Sequence, residues 1–235
     1  MDQGQIRKRK LVRTSFNLQP QANQQVVQAN RAAAILVRQA RMNAMPVQRN
    51  NVNDRGFIDL LNANYVADTT GSITLLGPIA QGASVNQRIG KKIMYASIQI
   101  RGRAVAGASG VYNDVALIIV YDKRPTGALP VMTDILAVSN SNSMNNDDNS
   151  GRFQIVRRID HLLLGNGTAC VSGREGQSMD DFIKFRRPAT FKALGTGTIG
   201  DIEEGALYIV SIGSTAAGAT AALFTLSFRL RFTEN

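Results

Sequence analysis

The sequence predicts an all-β sandwich carrying a basic, partly helical N-terminal arm, and three observations lead there. Apolar–polar alternation with period two recurs from about residue 56 to the C-terminus. Gly, Pro, Asn and Asp fall between the alternating segments, where turns belong. The excess positive charge is crowded into the first quarter of the chain. Formal net charge is +10 over 235 residues. Residues 1–55 hold ten Lys and Arg against Asp2 and Asp54, while 56–235 hold seventeen basic and fifteen acidic groups. The chain therefore divides into an arm, 1–55, and a nearly neutral β-domain, 56–235.

The arm is rich in Gln, Asn, Ala and Arg, with Phe16 its single aromatic and no Gly after Gly4. Such a composition buries too little apolar surface to fold alone. Within it, 22–45 lacks Gly and Pro and favours helix, with Pro46 as its stop. On a helix, Arg31, Arg38 and Arg41 fall within about 80° of one another, since each residue turns ~100°. That face suits phosphates or the inner wall of a shell, and equally suits a solvated helix packed on its own domain. Ahead of it, Arg7, Lys8, Arg9, Lys10 and Arg13 form the densest basic cluster. A polyanion, nucleic acid or an acidic membrane surface, is the partner such asymmetry implies. Short Lys/Arg clusters also serve as nuclear localisation signals.

Eight strand candidates follow in the β-domain: 72–79, 94–104, 115–121, 152–160, 181–187, 190–194, 205–213 and 224–233. In the second, Met94, Ala96, Ile98, Ile100 and Ala104 oppose Tyr95, Ser97, Gln99, Arg101 and Arg103. The third is an unbroken apolar run, expected of a strand covered on both faces. The last alternates Phe224, Leu226, Phe228, Leu230 and Phe232 with polar partners, as a half-buried strand does. The polar stretch 138–151 is expected to be a long exposed loop. Eight strands with little helix make an eight-stranded antiparallel jelly roll the expected architecture.

Enzymatic readings find little support. One histidine, His161, and one cysteine, Cys170, cannot build a His/Cys metal centre or an intrachain disulfide. No nucleophile motif accompanies His161. Residues 195–200, GTGTIG, match a dinucleotide-binding pattern literally, yet a strand rather than a helix is expected next, so a turn is the better reading. Asp147/Asp148, Asp180/Asp181 and Glu203/Glu204 are neighbours in sequence, and neighbours on a strand point to opposite faces. No stretch is long and apolar enough for a membrane helix, the basic N-terminus lacks the apolar core of a signal peptide, and no cofactor is called for.

Segment 88–102, RIGKKIMYASIQIRG, carries Arg88, Gly90, Lys91, Ser97, Ile100 and Gly102. Segment 121–127, YDKRPTG, follows the buried run and carries Asp122, Lys123, Arg124, Pro125 and Gly127. GRFQIVRRID at 151–160, FIKFRR at 182–187 and the C-terminal strands come next. In order and spacing these segments resemble the coat proteins of geminiviruses and related circular, Rep-encoding single-stranded DNA viruses. The chain is shorter than plant geminivirus coats, has no Trp, and lacks Cys and His in its arm. The resemblance therefore points to a geminivirus-like relative.

The resemblance implies a jelly roll that self-assembles from many copies into a small icosahedral shell, with the arm inside on a single-stranded DNA genome. It also implies virion and host-nuclear locations, with host nuclear import machinery as a further partner. Arg7, Lys8, Arg9, Lys10 and Arg13 are the first choice of nucleic-acid contacts; Arg31, Arg38 and Arg41 come second. Arg88, Lys91 and Lys92 would face either the lumen or solvent. Gly90, Ser97, Gly102, Asp122, Lys123, Arg124, Pro125 and Gly127 are expected to be structural. Arg101, Arg103, Arg229 and Arg231 are open to solvent or to subunit contact. The competing reading is a basic nucleic-acid-binding accessory protein that does not assemble.

Overall fold

The alternating segment Phe224 to Phe232 lies on an interior strand of the larger of two sheets, its five inward side chains 0 to 1% exposed. The computed structural model describes residues 55–107, 112–164, 176–193, 195–218 and 221–234. The predicted helix at 22–45 and Cys170 lie outside them. Among the described residues the strands are β1 (Arg55–Ala67), β2 (Ser72–Leu75), β3 (Lys92–Val105), β4 (Tyr112–Asp122), β5 (Phe153–Leu164), β6 (Gly176–Phe191), β7 (Ile202–Glu204), β8 (Ala206–Gly213) and β9 (Ala222–Glu234).

One sheet runs β1-β9-β3-β6-β7 and the other β2-β8-β4-β5, with every paired strand antiparallel. Setting aside the three-residue β7, two four-stranded sheets interleave as a jelly roll. Between them lies one core, in which Ile98, Ile100 and Phe228 from the first sheet join Leu117, Ile119 and Ile209 from the second. The edges facing each other are tied by Arg157 of β5 and Asp181 of β6 at 2.8 Å, and by Arg187 donating to Gln154 at 3.0 Å.

Three strands depart from expectation for identifiable reasons. The candidates 181–187 and 190–194 are one long β6 that ends at Phe191. β1 has no legible alternation because its register slips between Leu60 and Ala63, with Asn62 at φ 50°. Gly56 and Ile58 face inward before that bulge, Tyr65 and Ala67 after it, so the inward parity changes mid-strand. β3 carries a similar irregularity between Tyr95 and Ser97. Tyr95 is therefore buried on the core side with Ile93, whereas Met94 shares the outward side of Thr233; the expected parity holds only from Ile98 onward.

The apolar run of β4 is covered on both sides, as its composition implies. Val115, Leu117 and Ile119 face the other sheet, while Ala116, Ile118 and Val120 sit beside Ile212, Val210 and Tyr208 on the outer side. All of these outer residues are buried. The segment between β4 and β5 covers them: α1 (Met132–Ile135) buries Met132 and Ile135, and Leu136 follows. Residues 138–151 are not simply the exposed loop expected. Arg158 of β5 donates to the Ser141 and Ser143 carbonyls, Ser139 donates to the Thr69 carbonyl at 3.0 Å, and Ser141 and Ser143 are buried. Val138 and Met144 remain exposed.

Gly102 in β3 has φ +151°, and a Cβ there would stand 2.1 Å from the Thr225 carbonyl oxygen of β9. Gly102→Ala should lower the unfolding free energy in urea by about 1–3 kcal/mol. Gly151→Ala, where a Cβ meets nothing within 4 Å, should stay within about 0.5 kcal/mol.

Candidate nucleic-acid interface

Of the basic residues picked from sequence, Arg7, Lys8, Arg9, Lys10, Arg13, Arg31, Arg38 and Arg41 lie outside the described residues. The first described residue is Arg55, where β1 starts on the edge of the larger sheet. Lys91 and Lys92 are exposed at the start of β3, one strand beyond β9 from Arg55.

Arg88 is not a nucleic-acid contact in this fold. Its side chain is 0% exposed. Nη1 donates to the Gly90 carbonyl at 2.8 Å, Nη2 donates to the Lys192 carbonyl at 2.9 Å, and the guanidinium lies 4.5 Å over the Phe191 ring. Burial presses its pKa downward, opposed by Asp201 and Glu234. The Glu234 carboxylate accepts from the Ile89 and Gly90 amides. A buried arginine whose two terminal nitrogens are spent on backbone carbonyls fastens a loop; sequence alone could not separate it from exposed Lys91 and Lys92.

The Asp122-Lys123-Arg124-Pro125 segment turns the chain out of β4. Asp122 is fully buried and meets Arg152 in a bidentate pair, Nε–Oδ1 3.0 Å and Nη2–Oδ2 2.9 Å. It also accepts from the Arg124 amide at 3.0 Å and the Tyr208 hydroxyl at 3.5 Å. Burial, then the Asp122 carboxylate, pushes the Tyr208 hydroxyl well above its ordinary pKa. Lys123 donates from Nζ to the Gly151 carbonyl at 3.3 Å. Gly127 takes φ +82°, a conformation that favours glycine. Ser97 is buried at the β3 irregularity.

The glycine-rich stretch 195–200 is a turn closed on its own acid. The Asp201 carboxylate accepts from the Gly197 and Thr198 amides at 3.0 and 3.1 Å and from both neighbouring threonine hydroxyls. Those amides are already occupied, so they offer no cradle for a phosphate. Asp180 points outward to Arg101 at 3.1 Å and Asp181 points to β5, so adjacent carboxylates do diverge. Among the described residues no three His, Cys, Asp or Glu side chains gather as a metal site would require.

The outward face of β1, β9, β3 and β6 is where exposed cations converge. Arg231 pairs across strands with Ser97, which pairs with Lys184; Arg229 pairs with Gln99, which pairs with Phe182. Arg101 lies between Ser227 and Asp180, and Arg103 between Thr225 and Ser178. Arg55 and Arg186 complete the set near the start of β1 and the end of β6. With Lys92, which pairs with Thr190 at the start of β3, eight cations share this face with two carboxylates, Asp59 and Asp180, an excess of six. Asp59 holds Arg229 by two bonds of 2.7 Å; the Arg229 hydrogen bond, opposed by burial, draws its carboxyl below the usual range. Arg55, Arg103, Lys184 and Arg186 are exposed and have no acidic partner among the described residues. Phe182 is 50% exposed in their midst, with the Arg231 guanidinium 5.8 Å from its ring centre. Lys184, Arg186 and Phe182 were legible only as a family-like segment, because nothing local shows which face of β6 meets the core.

Comparison with known proteins adds two findings. The model of the geminivirus coat protein/nuclear export factor BR1 family matches residues 3–235. A capsid protein of Miscanthus streak virus (isolate 91) is 28% identical over 164 residues, covering 61% of this chain. The chain spans just 64% of that relative's length.

Arg152→Met would leave the Asp122 carboxylate buried without its cation. The expected loss is about 3 kcal/mol in the unfolding free energy from a denaturant titration. The double variant with Asp122→Asn should recover most of it.

Proposed function

Because this chain belongs to the geminivirus coat protein/nuclear export factor BR1 family, we propose that it is a structural coat protein. Many copies assemble into a small icosahedral shell and package a circular single-stranded DNA genome. The observation that carries this reading is a strongly basic first quarter of the sequence followed by a nearly neutral jelly roll. Each arm neutralises phosphates and releases their counterions without reading sequence, which is what condensing a polyanion inside a shell requires. Arg7, Lys8, Arg9, Lys10 and Arg13 supply the main contacts, with Arg31, Arg38 and Arg41 in support. The first cluster also serves as a nuclear localisation signal, so assembly takes place in the host nucleus and the product is the virion. Lys91 and Lys92, exposed at the same end of the sheet as Arg55, add further cations for phosphate.

Copies meet through heterologous contacts that close by symmetry. Exposed apolar side chains such as Leu61, Val85, Met144 and Leu162 are available for them. The role is structural, with no substrate turned over and no cofactor. The second reading is a nucleic-acid-binding accessory protein that does not assemble. The family's description, which also names a nuclear export factor, favours it. The Miscanthus streak virus relative, a capsid protein by name, weighs toward the coat.

Size exclusion with light scattering, recorded at 260 and 280 nm, separates the two readings. With five Tyr and no Trp, the protein absorbs weakly at 280 nm and bound nucleic acid is conspicuous. A megadalton particle rich in 260 nm absorbance is expected; a small species that binds nucleic acid without closing would establish the accessory reading. Replacing Arg7, Lys8, Arg9, Lys10 and Arg13 with Ala should keep the thermal midpoint and deplete the nucleic acid in purified particles. Unchanged content would overturn the role given to the arm.

A further inference from the structure

The two sheets part along one long side of the sandwich, between β5 and β6. Among the described residues β5 pairs only with β4, and β6 beyond β3 meets only the short β7, at Thr190 and Phe191. Both strands therefore present a free edge there, and side chains tie the edges together. Arg157 of β5 meets Asp181 of β6 at 2.8 Å, and Arg187 of β6 donates to Gln154 of β5 at 3.0 Å. Both ties lie in the first half of β5. The second half of this seam contains His161, the single histidine of the chain.

His161 pairs across the ladder with Val115, which faces the other sheet, so the imidazole points inward. The two ties run in antiparallel order. His161 therefore lies opposite the start of β6, where Gln177 and Met179 take the inward positions. Its Nε2 is buried and has no hydrogen-bond partner. In the neutral ring the proton can sit on Nδ1 and leave Nε2 a bare acceptor. The charged ring carries a proton on both nitrogens, so Nε2 becomes a buried N–H with no acceptor, which is costly. No carboxylate among the described residues is free to answer that charge. On β5, Asp160 points to the opposite face, where Arg158 holds it, and inward Arg157 is itself a cation. On β6, Asp181 faces inward but is held by Arg157, while Asp180 faces outward to Arg101. On β4, Asp114 lies on the outward face, as does Arg103 on β3. Burial outweighs the attraction of Asp160 and draws the imidazole below its ordinary pKa.

We propose that His161 is an acid-sensitive latch on the β5–β6 seam: its neutral ring lets the two edges close, and its protonation opens them. Above the ordinary histidine value of 6.5 the ring is neutral whether the seam is closed or open, and closure is at its firmest. As pH falls through that value the opened chain takes up the proton first, so closure weakens. Aspartate and glutamate titrate near 4, so the interval from about pH 7.5 to about 5.5 isolates the histidine. The opening is local. β9 is paired on both sides and lies away from the seam, so it stays in place. A domain built this way is firm at neutral pH and loosens along one edge in mildly acidic surroundings.

The test uses the full chain, held as dispersed subunits and carrying 13C-labelled histidine, whose one imidazole resonance needs no assignment. Its titration midpoint is expected below 6.5; a midpoint at or above that value would overturn the proposal. Between about pH 7.5 and about 5.5 the thermal midpoint of the parent should fall about 3 °C further than that of His161→Gln, whose amide does not titrate. Amide hydrogen exchange, corrected for its intrinsic pH dependence, should quicken at the lower pH in β5 and the start of β6 and stay slow in β9. In His161→Gln neither region should respond. An equal fall of the thermal midpoint in both proteins would sink the latch, and so would a loss of protection that spreads evenly into β9. The resonance and the exchange are read on the parent chain, so they decide the matter even if His161→Gln fails to fold.

Discussion

Strand β9 sits between β1 and β3, which do not pair with each other, so the larger sheet exists only while the last strand is in place. The strand hydrogen-bonds along nearly its whole length on both sides. Its inward side chains include Phe224, Phe228 and Phe232, three of the largest fully buried side chains among the described residues. Burial of a Phe or Leu side chain contributes about 1.5–3 kcal/mol, so one alternating segment concentrates a large share of the sandwich's stability. Its last described residue, Glu234, also holds the Ile89 and Gly90 amides and so secures the loop leading into β3. Pairing the start of the domain with its end closes a very long loop, a slow step in β-topologies of this kind.

With that sheet in place, its outward residues form a basic surface. β9 must present Phe and Leu inward, so its alternate positions, Arg229 and Arg231, are forced outward beside Gln99 and Arg101 of β3. The other sheet answers the same physical demand differently. β4 and β8 are apolar on both faces, and exposed Ile118, Val210 and Ile212 would be costly in water. The chain between β4 and β5 folds over them, and the Asp122–Arg152 pair anchors both ends of that cover. Breaking it strands a carboxylate in a dry site, so an aspartate, a turn and a distant arginine form one unit.

Legibility varied strand by strand. β9 was readable because its partners absorb the irregularities and its own parity never changes. β4 was readable because an unbroken apolar run has to be covered on both faces wherever it sits. β1 was not, because the bulge around Asn62 moves the inward side from even to odd positions and erases the period-two signal. β3 was half readable for the same reason: Ile98, Ile100 and Ala104 follow the pattern, while Tyr95 and Met94 exchange places across the irregularity. Arg88 misled because a charge in sequence carries no information about burial, and its binding partners, Gly90 and Lys192, include one that lies 104 residues away.

By itself the sequence determined the crowding of positive charge into the first quarter of the chain, the all-β class and the inward face of β9. These depend on composition and on local periodicity, both properties of contiguous residues. Only the tertiary structure decided that Arg88 is a buried fastener, that 123–152 is a cover, and that Arg55, Arg103, Lys184, Arg186 and Phe182 share one open face. Those assignments depend on strand order and register, which bring together residues far apart in the chain. Long-range pairing is set by the sum of the core contacts, and no local window of sequence contains that sum.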